Sequence, residues 1–355
     1  MDGKLGAKVP TTLDEFTALL RQMKEAGDLN GNGQDDEVIL SSVSHNHLGT
    51  ILWNAFDIEQ YESSPNFVAD ANGVVTDDYT SEKMRNYLTY LNMLYSEGLL
   101  DEEINTMTAD RLSEKVAADR VGVFVYNSAF AVNYGKLTTA GQADPMGEYY
   151  TLGGPLASEY NGNENKWMLK EKISTCPTAI SSECKNIELA AKWIDVLFAD
   201  PDVLITRTCG FEGEDFEYDE NGNIKLIYAA DGTPWNITDK GCGQISLCYN
   251  QTKEQTQNSK LAYTWYIDEY NKIRDASVFY GASVPKVNTF TDEEQELIDD
   301  SKTDVMAYFE EMRDKFVKGD ADIATEWDSY VANMQSLGLD KYIAAYQSVY
   351  DRLKK

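Results

Sequence analysis

One loop, DLNGNGQDDE at 28–37, carries the side chains in this sequence best suited to binding a metal ion. Asp28, Asn30 and Asn32 present oxygen atoms at alternating positions, and Gly33 permits a tight bend at the sixth position, as in an EF-hand. The pattern then departs, because the twelfth position holds Ile39 instead of Glu. The carboxylates, amide oxygens and a carbonyl of the loop suit Ca2+ better than Mg2+, which keeps its waters. The loop therefore predicts a structural calcium site; a polar turn without metal is the alternative.

Signs of catalytic chemistry are weak by comparison. His45 and His47 are the two histidines, and their spacing in HNH is too short to specify a metal or nuclease site, so a polar loop is the favoured interpretation. The sequence holds no GxSxG, HExxH or phosphate-binding glycine loop. A glycosidase needs a pair of carboxylates, and the sequence alone does not locate one.

Charge excludes one large class of partner. The chain of 355 residues has 31 Lys and Arg against 60 Asp and Glu, which gives a net charge of −29. Nucleic-acid binding needs a basic face, so a nucleic-acid partner is excluded. Strong negative charge favours a soluble monomer. The sequence has no apolar run long enough to span a membrane, and its first residues do not form a signal peptide.

The elements that would hold the loop alternate between helix and strand. Thr12 and Glu15 have capping-box spacing and start a helix that Gly27 ends. Further helices are predicted over 81–97 and 109–118, and the latter leads into an apolar strand at 121–126. Helices and strands in this order predict an α/β fold.

The second half of the sequence is richer in helices. Asn186 caps a predicted helix over 187–199, and Asn221-Gly222 marks the turn of a hairpin within 216–228. The stretch 231–260 has loop composition. A helix starting after Thr291 is predicted to run to Lys318, and two shorter helices separated by Gly338 follow it.

Several of these segments, in order, resemble the family 1 extracellular solute-binding proteins, especially the lipoproteins of Gram-positive bacteria. The segments are KLGAKVPTTLDEFTALLRQMKEAGDLNGNGQDDEVIL, KNIELAAKWIDVLF, CGFEGEDFEYDENGNIK and the C-terminal KGDADIATEWDSYVANMQSLGLDKYIAAYQSVYDRLKK. The resemblance implies a helix-rich α/β fold of the type II periplasmic-binding-protein class, with two lobes that close on a ligand. By match to the family's calcium loop, the implied Ca2+ ligands are Asp28, Asn30, Asn32, Gln34, Asp36 and Glu37.

The same resemblance implies how the chain divides between the lobes. Residues 1–145 would lie in the second lobe with the calcium loop, 146–240 would be the remaining part of the first lobe, and 241–355 would return to the second as C-terminal helices. Family members carry a secretion signal, a lipid-attachment Cys and a further α/β segment ahead of Lys4. The expectation is therefore an N-terminally truncated chain whose first lobe is incomplete, with the apolar face of the 187–199 helix partly uncovered.

The function implied is that of a non-enzymatic, extracellular lipoprotein of an ABC importer, which captures an oligosaccharide and delivers it to permease subunits in the membrane. Aromatic side chains stack on sugar rings, and amides and carboxylates bind hydroxyls. Residues outside the periodic apolar stripes are the ligand-binding candidates, although a core role is open for each: Trp53, Asn54, Tyr126, Asn127, Phe211, Glu212, Trp235 and Trp265. Trp193 and Trp327 lie in predicted helices and are expected in the core.

Other functions stay open at this point. The main alternative is a secreted glycoside hydrolase stabilised by calcium, and a surface adhesion module is a third. A peptide ligand in place of a sugar is also compatible with the sequence. The sugar, its linkage and its length are not encoded in any motif of this chain.

Overall fold

A computed structural model describes residues 8–61, 64–65, 67–126, 134–135, 137–143, 151–168, 179–218, 220, 222, 224–227, 264–280, 283–284 and 290–354. Among these residues, no helix combines the length and the apolar character that crossing a membrane requires.

Within the described residues, helices are the dominant elements. They are α1 (Leu13–Ala26), α2 (His45–Leu52), α3 (Glu82–Ser96), α4 (Ala109–Ala117), α5 (Thr139–Ala143), α6 (Ile187–Ala199), α7 (Pro201–Cys209), α8 (Thr264–Asp275), α9 (Asp292–Asp299), α10 (Lys302–Lys318), α11 (Ile323–Ser336) and α12 (Leu339–Leu353). Short 3-10 turns lie at Trp53–Phe56 and Glu159–Asn161.

The strands are short. They are β1 (Val38–Ser42), β2 (Gln60–Tyr61), β3 (Ser64–Pro65), β4 (Phe67–Ala69), β5 (Val75–Asp77), β6 (Val121–Val125), β7 (Lys166–Met168), β8 (Phe216–Tyr218), β9 (Ile224–Leu226) and β10 (Val278–Tyr280). Two pairs are parallel, β1 with β6 and β7 with β10, and three are antiparallel: β2 with β3, β4 with β5 and β8 with β9.

Helix α1 forms as its sequence predicts. The Thr12 hydroxyl accepts a hydrogen bond from the Glu15 amide, and the Glu15 carboxylate accepts one from the Thr12 amide. Gly27, with φ of +63°, ends the helix. A residue with a side chain would be strained in that conformation.

Two compact units are formed by the described residues. One consists of those within 1–143, 149–169 and 272–355, and the other of those within 144–148 and 170–271. The first unit has one large apolar core, to which α1, α3 and the helices α9–α12 all contribute. The predicted lobe boundaries at 145/146 and 240/241 stay a prediction.

The C-terminal helices differ from the prediction at one place. A single helix was expected from Thr291 to Lys318, but the chain turns at Asp300–Ser301 and forms α9 and α10. The Ser301 side chain is buried, and its hydroxyl donates to the Leu297 carbonyl at 2.7 Å. The turn allows α9 to pack against α12 while α10 packs against α3. Tertiary packing therefore overrides a continuous helical pattern.

The histidines also lie in a different element from the one predicted. HNH was expected in a polar loop, and it instead begins α2. The Ser44 hydroxyl accepts a hydrogen bond from the His47 amide at 3.2 Å, which caps the helix. His45, Leu48 and Leu52 lie on the buried face of α2.

In the second unit, the predicted hairpin and the 187–199 helix are both present. Trp193 on α6 is 59 % exposed, so the expectation that it is a core residue is wrong, whereas Trp327 on α11 is buried as expected. Ala190, Ile194 and Leu197 on the same helix are half-buried. The exposed Trp193 side chain agrees instead with the other expectation for this helix, which is that its apolar face is partly uncovered.

A buried carboxyl group lies between β5 and α3. Asp78 is 1 % exposed, and its carboxylate accepts a hydrogen bond from the Glu59 amide at 3.1 Å. Burial raises the pKa of Asp78 to about 7, with Lys83 acting in the opposite direction. Between pH 4 and 7 the folded chain therefore holds a proton on this group that the unfolded chain releases.

We expect the stability of the protein to fall as pH rises from 4 to 7 because of Asp78. A pKa near 7 in the folded state and near 4 in the unfolded state corresponds to a decrease in the free energy of unfolding on the order of 4 kcal/mol over this pH range. Asp78→Asn keeps an acceptor oxygen for the Glu59 amide and should flatten this slope in urea unfolding at a series of pH values. The exposed Asp328→Asn is the control. Equal slopes in both variants would contradict the assignment.

Candidate functional site

A polar pocket lies at the carboxyl ends of the parallel strands β1 and β6. Ser42 pairs with Val125 at the last position of the two strands, and the segment after Ser42 lines the pocket. The pocket has a volume of about 200 Å³. We call it the carboxyl-end pocket and define it by its polar lining residues, which are Ser44, His45, Asn46, Asn105, Glu310 and Arg313. In α/β sheets, ligands commonly bind outside the carboxyl ends of strands.

The loop that supplies Asn105 is anchored by Asp101. The buried Asp101 carboxylate accepts hydrogen bonds from the Ser41 hydroxyl at 2.7 Å and from the Lys115 ammonium at 2.8 and 3.0 Å. The Asp101 amide donates to the Leu40 carbonyl at 2.9 Å. Lys115 and Asp101 are each nearly inaccessible to solvent, so the two charges compensate one another. This network fixes the 101–107 segment against β1.

His45 is the most enclosed group of the pocket, at 4 % exposure. Its Nε2 lies within hydrogen-bond distance of Oδ1, the side-chain oxygen of Asn105. This oxygen can only accept a hydrogen bond, so Nε2 carries the proton. Burial and, to a lesser extent, Arg313 lower the pKa of His45 to about 4. At neutral pH the ring is uncharged, and its Nδ1 is an acceptor. Among the described residues, neither this Nδ1 nor the Asn105 Nδ2 has a hydrogen-bond partner.

Helix α10 contributes two side chains to the pocket lining and a third beside His45. Arg313 and Glu310 are one turn apart, and both line the pocket. The Arg313 guanidinium donates to the Asp314 carboxylate at 2.9 and 3.0 Å, and Asp314 lies 3.7 Å from His45 Nε2. The cation of the pocket is therefore already paired with an anion.

The 28–37 loop has the turn geometry that its sequence predicts. The Asp28 carboxylate accepts hydrogen bonds from the amides of residues 31, 32 and 33 at 2.6–3.0 Å. Glu37 reaches back and accepts from the Leu29 and Asn30 amides through Oε1. Gly33 has φ of +84°, which favours glycine. The loop then passes directly into β1.

The fit of this loop to Ca2+ is partial. The second Glu37 oxygen, Oε2, is buried and has no hydrogen-bond partner within the described part of the chain, which suits a cation. Asp36, by contrast, pairs with Arg120 at 2.9 Å and accepts from the Asn32 amide group at 3.3 Å. In the described ranges, no three His, Cys, Asp or Glu side chains are arranged as a metal site.

The predicted sugar contacts are dispersed. Trp53 and Asn54 lie in the 3-10 turn after α2 and are each 3 % exposed. The Trp53 ring contacts the Tyr87 ring edge-on, with 6.4 Å between the ring centroids. A Cβ atom at residue 49 would lie 2.3 Å from the Trp53 ring, so residue 49 must be glycine. This burial favours the core role that the sequence left open for Trp53.

Tyr126 is the predicted contact that lies at the carboxyl end of β6. Its ring contacts His47 edge-on at 5.3 Å and Tyr134 at 5.4 Å. In the second unit, Phe211 and Glu212 are exposed beside β8. Trp265, which was expected outside any periodic helical stripe, lies in α8, because this helix begins at Thr264. Asn127 and Trp235 lie outside the described residues.

Four residues of the pocket were not among the predicted ligand contacts: His45, Asn105, Glu310 and Arg313. Ser44 was a usable signal, because a Ser often caps the first turn of a helix. Recognising that cap would have placed His45 at the start of a helix that directly follows a strand. Asn105, Glu310 and Arg313 come from distant parts of the chain, and nothing in their local sequence indicates that they meet.

Comparisons with known proteins define the fold. No protein-family model matches the chain. The chain is 25 % identical over 370 aligned residues to the fructooligosaccharide ABC transporter substrate-binding protein FusA of Streptococcus pneumoniae, an alignment that covers 98 % of this chain. The chain spans 63 % of the length of that relative.

Two solved structures align over almost the whole chain. One is the Streptococcus pneumoniae FusA EF-hand mutant in complex with fructo-nystose, with a TM-score of 0.69, 23 % identity and coverage of 99 % of this chain and 70 % of that one. The other is the alginate-binding protein AlgQ2 without calcium ion, with a TM-score of 0.70, 22 % identity and the same coverages. The chain therefore has the helix-rich α/β fold of the two-lobed solute-binding proteins of ABC transporters, and the resemblance found in the sequence is confirmed at the level of fold.

We expect Trp53→Ala to act on stability. Deleting a buried Trp leaves a cavity and should lower the free energy of unfolding by about 3–5 kcal/mol. Trp193→Ala, at a position 59 % exposed, is the matched control and should cost much less. Denaturant unfolding measures both. An unchanged stability of Trp53→Ala together with lost sugar binding would favour the ligand role instead.

Proposed function

We propose that this chain is the substrate-binding component of an ABC importer, which captures an oligosaccharide and delivers it to membrane permease subunits. The observation that carries the proposal is the alignment of 98 % of the chain with a fructooligosaccharide-binding component of such an importer. The carboxyl-end pocket supports it, because uncharged donors and acceptors in an open, polar pocket suit hydroxyl groups.

The proposal includes the place and state of the protein. A substrate-binding component of a Gram-positive importer works outside the cell on a lipid anchor, and we propose the same for this protein. Its net charge of −29 favours a monomer. Tyr126, at the carboxyl end of β6, is proposed as a stacking surface for a sugar ring, and Phe211 and Glu212 are each proposed as ligand contacts.

Binding without hydrolysis separates this function from the glycoside hydrolase alternative. The relatives reported above are named as binding proteins, which favours a non-enzymatic role. Titration calorimetry with a panel of neutral and acidic oligosaccharides should give saturable binding for at least one of them. Chromatography after a long incubation should show that sugar intact. Shortened products would favour the hydrolase, and binding of peptides but of no sugar would refute the sugar assignment.

We further propose that the 28–37 loop binds Ca2+ as a structural ion. Asp28, Asn30, Asn32, Asp36 and Glu37 would supply side-chain oxygens and Gln34 its carbonyl. The buried, unpartnered Glu37 Oε2 supports this, as do the names of two relatives, which refer to an EF-hand and to a calcium ion. Bound Ca2+ would neutralise the loop carboxylates and hold the loop at the start of β1.

Calcium should raise the melting temperature, and a chelator should lower it. A ligand that binds only the folded state at 100 times its Kd stabilises that state by about 2.7 kcal/mol. Asp28→Asn should abolish most of the difference between calcium and chelator. Asp35→Asn, an exposed loop position outside the proposed ligand set, should retain it. Identical melting curves in calcium and chelator, with no metal found by elemental analysis, would refute the site.

A further inference from the structure

The charges around the carboxyl-end pocket discriminate between classes of sugar. Arg313 is the cation that lines the pocket, and both of its described hydrogen bonds go to Asp314. Glu310 lines the same pocket one helical turn away. His45 is enclosed and uncharged at neutral pH. A carboxylate entering this pocket would meet the Glu310 carboxylate, and the guanidinium of the lining is already paired with Asp314. Asp314 and Lys318 both act on His45 from outside the lining, with opposite charges.

The uncharged groups of the pocket suit a hydroxyl. His45 Nδ1 is an acceptor and Asn105 Nδ2 is a donor, and among the described residues both are buried without a partner. A hydroxyl group donates one hydrogen bond and accepts others, so hydroxyls satisfy both kinds of group. A carboxylate ionised at neutral pH accepts but does not donate, so it would leave the His45 acceptor unsatisfied if it took the place of that hydroxyl.

We propose that the carboxyl-end pocket selects neutral sugar rings and rejects uronic acids, with Glu310 as the residue that provides the rejection. The inference rests on the proposed function and makes it more specific. Specificity of this kind depends on a repulsive contact with the wrong ligand as much as on attraction to the right one. His45 and Asn105 supply the attraction through hydroxyl contacts.

The first test compares sugar classes on the unaltered protein. Calorimetry would use neutral fructo- and gluco-oligosaccharides of three and four units, and trigalacturonate and trimannuronate as acidic probes. We expect the best neutral sugar to bind at least tenfold more tightly than either uronate. Tighter binding of a uronate would overturn the inference while leaving oligosaccharide capture intact. Binding of no sugar at all would overturn both.

The second test assigns the selection to the pocket. Glu310→Gln should narrow the ratio of neutral to acidic affinity at least threefold, because the repulsive charge is removed. Glu311→Gln is the matched control, since it removes the same charge at the next position of α10, where the side chain pairs with Lys315 and does not line the pocket. Equal ratios in the two variants would overturn the role of Glu310.

The hydroxyl contacts have their own variant. Asn105→Ala should weaken binding of the best neutral sugar at least tenfold. Asn333→Ala, which removes an amide side chain bonded to Tyr308 on the surface, should leave the affinity unchanged. Circular dichroism and melting curves verify that both variants fold. Unchanged affinity in a folded Asn105→Ala protein would overturn the assignment of the sugar to this pocket.

Discussion

Strand β1 is hydrogen-bonded on both sides, and the candidate sites depend on its position. On one side it pairs in parallel with β6 over Val38–Ser42, and on the other the segment around Leu100 bonds to Leu40. The 28–37 loop enters β1, and the segment that lines the carboxyl-end pocket leaves it. The 28–37 loop and the pocket therefore lie at opposite ends of one buried strand, and ordering of the loop would help to hold the strand that positions the pocket.

The buried Asp101–Lys115 pair shows how the protein keeps charge inside this region. Moving two ions out of water is costly, and the cost is offset where geometry and additional hydrogen bonds are good. Ser41 and the Glu103 amide supply those additional bonds to Asp101. Together with the ion pair, these bonds fix the position of the 101–107 segment, which bears Asn105, because they connect it both to β1 and to α4.

Local charge and net charge have different consequences for a ligand. The net charge of −29 belongs to the whole chain, and salt screens exposed charges from one another beyond about 8 Å at physiological ionic strength. Glu310 acts on a ligand at shorter range, since it lines the pocket. An uncharged ligand is consistent both with the net charge of the chain and with the charge at the pocket.

The sequence by itself determined those features of this protein that depend on neighbouring residues. The capping box at Thr12 and Glu15, the left-handed glycine that ends α1, the hairpin at residue 222 and the alternating oxygens of the 28–37 loop are local, because the interacting atoms lie within a few residues. Together with their order along the chain, they were sufficient to identify the solute-binding fold.

The tertiary structure decided which residues meet. It broke the predicted helix at Ser301, buried Trp53 against Tyr87, left Trp193 exposed on α6, and brought Arg313 to His45 across more than half of the chain. Burial and long-range contact are properties of packing between distant segments, and no spacing rule within one segment encodes them. For that reason the turn geometry of the 28–37 loop could be predicted from its residues, whereas the pocket could be found only once the strands and helices were in place.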